Sequence, residues 1–98
     1  MVAPLTVQLQ DVTDERFPAA VEASAYVTVN EAIRDAAARR ATAIGVTAVV
    51  RDGRLVITAA DDGAPRHGSL VRVADRVGAL GGRVELATTT LRAEIPCA

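Results

Sequence analysis

Two apolar runs, Val46 to Val50 and Leu55 to Ala59, are separated by Arg51-Asp-Gly-Arg54. Asp-Gly in that setting is a hairpin turn, because both central residues must take positive φ and the flanking strands then pair as antiparallel neighbours. The middle of the chain is therefore a sheet, and whatever else folds must cover it. The covering element is the stretch from Tyr26 to Arg40. Val21, Ala25, Val29, Ala32 and Ala36 follow the three-to-four spacing of a buried helix face. Pro18 suits the first turn, and the alanine-rich end (Ala36, Ala37, Ala38) favours helix intrinsically, so one long helix is predicted from about Pro18 to about Ala41. Gly45 is expected to break the pattern after it.

The other elements follow from the same rules. Leu5-Thr-Val-Gln-Leu-Gln10 alternates as a strand with one buried face. Leu70, Val73, Ala74, Val77 and Leu80 make a second helical stripe, with Ser69 as its expected N-cap and Gly81-Gly82 as its stop. Arg83 to Leu86 and Leu91 to Ile95 close the chain as strands. The order β-α-β-β-α-β-β, in 98 residues, implies one α+β domain with an antiparallel or mixed sheet and both helices on one face.

Composition narrows the function. A formal charge of −1 argues against a general nucleic-acid binder. All basic residues are arginine, so lysine chemistry is absent. Cys97 is the only cysteine, which leaves no internal disulfide and no thiolate metal site; it reads as an inert terminal thiol. No apolar run approaches the length of a membrane span, and no signal-peptide pattern opens the chain, so a cytoplasmic location without membrane contact by this chain is expected. A parent protein anchored in a membrane remains compatible with that.

Glu31, Asp35 and Arg39 recur every four residues along the long helix, on the side opposite its apolar stripe. Such a ladder can hold a metal or a polyphosphate, or be a solvated face with an Asp35–Arg39 ion pair. Asp61-Asp-Gly63 ends a strand. Adjacent residues there point apart, which speaks against joint acid–base work by Asp61 and Asp62. His67 reads as an exposed loop residue. No histidine–acid pair stands beside Ser69 to activate it as a nucleophile.

Four words occur in order: Glu31-Ala-Ile-Arg-Asp35, Asp61-Asp-Gly63, Ala74-Asp-Arg-Val-Gly-Ala-Leu-Gly-Gly82 and Leu91-Arg-Ala-Glu-Ile-Pro96. Together they resemble the catalytic, ATP-binding domain of two-component sensor histidine kinases, over almost the whole chain from about Leu5 to Cys97. The resemblance implies a two-layer α/β sandwich of the histidine-kinase, gyrase and Hsp90 type (the Bergerat fold). It also implies a site for ATP and Mg²⁺. In it Asp61 accepts from the adenine amino group, Gly63 admits the base, and Thr89 supports Asp61. Glu31 arranges water or the reacting phosphoryl group, Asp35 takes the Mg²⁺-binding place of the family's Asn, and Arg72 reaches phosphate. The implied partners are a separate dimerisation and phosphoacceptor domain and a response regulator. Without that acceptor domain the chain is expected to be a monomer that binds nucleotide at best and turns over little.

The sequence departs from the family at several points. Ser69-Leu-Val-Arg72 replaces a Gly-Leu-x-Gly word, Pro65 replaces a glycine, and the loop before the second helix is short. Ala87-Thr-Thr-Thr90 replaces a glycine-rich turn, and Arg39 stands where His is usual. Two alternatives therefore stand beside the kinase reading. One is a degenerate module that lost the nucleotide and binds proteins. The other is a serine kinase of the anti-sigma-factor type.

Overall fold

The structure, a computed structural model, describes residues 4–97. Its elements are β1 (Thr6–Val12), α1 (Ala19–Ala38), β2 (Ala43–Arg51), β3 (Arg54–Asp61), α2 (Val71–Ala79), β4 (Arg83–Leu86) and β5 (Thr90–Pro96). The strands form one mixed sheet in the order β1-β2-β3-β5-β4, with β1 parallel to β2 and the other pairs antiparallel. The expected α+β fold is present. At the β2–β3 turn Asp52 and Gly53 both have positive φ, 53° and 74°, as the Asp-Gly signal requires.

Register explains the core. Val46 lies opposite Ala59, and Ala59 opposite Leu91; Ile57 likewise faces both Ala48 and Ala93. Because side chains alternate, these rows share one face with Ile44, Leu55 and Ile95, and that face is buried under the helices. α1 packs over β2, β3 and β5, and α2 over β4 and β5.

Several sequence expectations need correction. The buried face of α1 is Val21, Ser24, Thr28, Ala32 and Ala36, with Ala25 and Val29 only half-buried on its flank. Two polar residues enter the core because Thr28 satisfies itself locally: its hydroxyl donates to Ser24 O at 2.8 Å, inside the helix. α1 also ends at Ala38 rather than near Ala41, and Gly45 is inside β2. The chain leaves the helix through Arg40, which takes φ 62°, while Ala41 N donates to Ala36 O and Arg40 N to Ala37 O, both at 3.0 Å. That pair of bonds is a Schellman closure, which usually recruits glycine. Similarly α2 starts at Val71 with Leu70 before it, and no side chain caps it, so Ser69 is not the N-cap. Leu70 is held by packing on the core, which delays the first turn by a residue.

A further correction concerns β1. All seven residues are exposed, with Leu9 at 67%. The alternation predicted one buried face, but two helices are too few to cover a five-stranded sheet. β1 is the strand left bare.

Candidate functional site

The candidate site is built where α1 ends. Arg39 is the C-cap residue, and its backbone N–H is shared between Asp35 O and Ala36 O. From there the guanidinium reaches across to the end of β3. Its Nη1 donates to Asp61 Oδ1 at 2.9 Å and its Nη2 to Asp61 Oδ2 at 2.5 Å, a fork on both carboxylate oxygens. Nε donates to Asp35 Oδ2 at 3.0 Å, and Nη1 also reaches Ala64 O at 2.8 Å. The side chains of Arg39 and Asp61 are 10% and 3% exposed. Hydrogen bonding to Asp61 raises the Arg39 pKa above its ordinary value, more than burial lowers it.

A second arginine completes the arrangement. Arg66, in the loop between β3 and α2, donates from Nε to Asp35 Oδ2 at 2.9 Å, and its Nη2 is also 2.9 Å from that oxygen. Its Nη1 donates to Ala87 O at 2.7 Å and Thr90 O at 3.0 Å. The result is two carboxylates and two guanidiniums, neutral in sum and largely out of water. Among the described residues no buried side-chain nitrogen or oxygen lacks a hydrogen-bond partner. Charges so placed must be paired and fully bonded, or their desolvation would be ruinous.

The backbone has been fitted to this corner. A β-carbon on Gly63 would stand 3.0 Å from Arg39 O and 3.2 Å from Ala41 Cβ, so the glycine lets the loop close on the end of α1. Gly63 N donates to Asp61 Oδ1 at 2.9 Å, and Ala64 N to Arg39 O at 2.9 Å. Asp61 N donates to Thr89 O at 3.0 Å, a backbone contact that links the carboxylate's base to the β4–β5 turn. Asp62 points away. It accepts from Thr42 N at 2.7 Å, Ala43 N at 3.1 Å and the Thr42 hydroxyl, and those bonds, the hydroxyl first, hold its pKa at about 2 against an ordinary 3.8.

The structure thus brings Asp35, Asp61 and Gly63 together, with Thr89 behind them. Glu31 and Arg72 pair with each other at 3.3 Å, Arg72 largely exposed and Glu31 at 20%. Asp35 and Arg39 do not form the solvated outer face considered from sequence: they are a covered flank, though their ion pair is present. His67 is exposed and Cys97 is a free thiol. Among the described residues no cluster of three His, Cys, Asp or Glu could hold a metal. Asp35 Oδ2 already takes N–H donors from two guanidiniums, whose charge opposes a divalent cation at the same oxygen, so the arrangement does not fit Mg²⁺. Sequence reasoning missed Arg66 altogether; a basic residue five positions after Asp61 carries no signal without the fold.

The fold is shared with part of a solved histidine kinase. The Acinetobacter baumannii histidine kinase AdeS superposes with a TM-score of 0.71 at 18% identity, over 97% of this chain and 55% of that one. The chain spans about half the length of that kinase structure. No protein-family model matches the sequence, and no curated protein matches it. No helix among the described residues is long and apolar enough to cross a membrane.

Proposed function

We propose that this chain is a histidine-kinase-type domain whose nucleotide corner is filled by its own arginines, and that it acts in two-component signalling by binding protein. The observation that carries this is the Arg39 fork on Asp61. An adenine amino group must reach an oxygen of that carboxylate, which is 3% exposed and carries on both oxygens the fork of a guanidinium that is itself nine-tenths covered. A charge-assisted bidentate pair is much stronger than a hydrogen bond from a neutral amine, so adenine competes poorly. Arg66 on Asp35 opposes Mg²⁺ in the same way. The partner class that goes with the fold is the helical dimerisation and phosphoacceptor domain of a sensor kinase, or its response regulator.

A second reading is favoured by the acids themselves. Glu31 and Asp35 lie one turn apart on α1, and Asp61 is bridged to Asp35 by Arg39. If Arg39 swings out, these residues offer Mg²⁺-ATP the carboxylates of a catalytic domain. The domain would then supply the γ-phosphoryl to a histidine on a separate domain, largely by positioning and charge neutralisation.

Titration of the purified chain with ATP and ADP, with and without Mg²⁺, separates the two. Ligand at a hundred times its Kd stabilises a fold by about 2.7 kcal/mol. Each kcal/mol moves the melt of a domain this size by about 4–8 °C. The filled corner gives no heat and no melt shift at millimolar nucleotide. Saturable, Mg²⁺-dependent binding that Asp61→Asn abolishes would establish the catalytic reading instead.

A further inference from the structure

The acceptors around the Arg39 guanidinium are held in place by bonds that do not involve its side chain. Asp61 Oδ1 is fixed by Gly63 N, Asp35 Oδ2 by Arg66, and the Ala64 carbonyl by the bond from Ala64 N to the Arg39 backbone. Four of the five guanidinium N–H groups have a partner in this frame: both oxygens of Asp61, one of Asp35, and Ala64 O. The frame is planar in its demands and anionic in sum, and each of these acceptor residues has a bond independent of the group the frame holds. We propose that this corner is a preformed receptor for a guanidinium or amidinium group, and that Arg39 is its resident ligand, an autoinhibitory plug that closes the receptor to free ligands. A simple ammonium cannot take its place, because it cannot present two parallel N–H bonds to Asp61 while a third reaches Asp35. The inference rests on the reading that the corner is filled from within.

The atoms removed by Arg39→Ala are those of ethylguanidinium, which is the probe. The variant is melted, and titrated by calorimetry, against ethylguanidinium chloride and, at matched concentration, ethylammonium chloride. Arg39→Ala is expected to melt below the wild type, and its melting temperature to rise saturably with ethylguanidinium alone. The wild type, already plugged, is not stabilised, and adding Asp61→Asn to Arg39→Ala abolishes the rise. Equal response to the two salts, no response, or the same rise in the wild type overturns the proposal. Should Arg39→Ala fail to fold, it is refolded in each salt: a folded domain recovered only with ethylguanidinium supports the receptor, and recovery with both or neither overturns it. No arm uses nucleotide, so ATP binding by the wild type would sink the filled-corner reading without deciding whether the frame accepts a guanidinium.

Discussion

The C-terminal end of β3 and the edge strand β1 invert the usual rule in opposite directions. At the end of β3 the chain buries charge: Asp61 and Arg66 have side chains 3% and 5% exposed. Along β1 it leaves apolar groups in water, with Leu9 at 67% and Val7 at 41%. The first inversion is stable because every charge meets an opposite one at hydrogen-bond distance. The second is tolerated because an exposed leucine forgoes stabilisation without incurring a desolvation penalty. Buried charge is thus a commitment involving several residues at once, whereas exposed apolar surface is a local omission.

That difference sets the size of what substitutions should do. Arg39→Ala leaves Asp61 buried and unpaired, and breaking such a pair from one side costs about 3–5 kcal/mol; denaturant melts measure it directly. A loss below about 1 kcal/mol would mean that the corner is wet and the pairing weak. A smaller effect belongs to Asp62, whose bonds to Thr42 and Ala43 lie on the exposed side of the same junction. Its folded-state pKa of about 2 lies below the ordinary 3.8, so its contribution is whole above pH 4 and is lost as the pH falls toward 2. Asp62→Asn should flatten the stability profile in that acid window and nowhere else. The smallest effect is expected at β1. Leu9→Gln should change stability by no more than about 0.5 kcal/mol, whereas Leu91→Ala, at a position 1% exposed, should cost about 2–5 kcal/mol. A large loss at Leu9 would show that something covers β1 in solution.

Much of this was legible in the sequence, for identifiable reasons. Asp52-Gly53 announces its turn because few backbones accept two positive φ values in succession. The helical stripe of α2 is legible at Val73 and Val77, which are wholly buried. The apolar stripe of α1 marks Val21, Ala32 and Ala36 but not Ser24 and Thr28, which look polar, and the bond that satisfies Thr28 inside the helix has no signature in hydropathy. The bareness of β1 depends on how far two helices reach across five strands, which alternation within a single strand does not encode. The site shows the same divide. Asp35, Asp61 and Gly63 stand out by their words and order, and the Asp35–Arg39 pair, which the structure contains, by its spacing of four. The fork from Arg39 to Asp61 spans 22 residues, so no local pattern displays it.

That the Arg39 guanidinium, rather than a nucleotide, occupies the Asp61 carboxylate can be read from ¹⁵N-resolved NMR of the arginine side chains. A seated fork restricts rotation about the terminal C–N bonds and shields its protons from solvent. The Arg39 Nη protons should then appear as separate, slowly exchanging resonances that vanish in Asp61→Asn and stay unmoved on adding millimolar Mg²⁺-ATP. A single averaged signal exchanging freely with water, or Arg39 resonances that collapse as nucleotide is added, would contradict it.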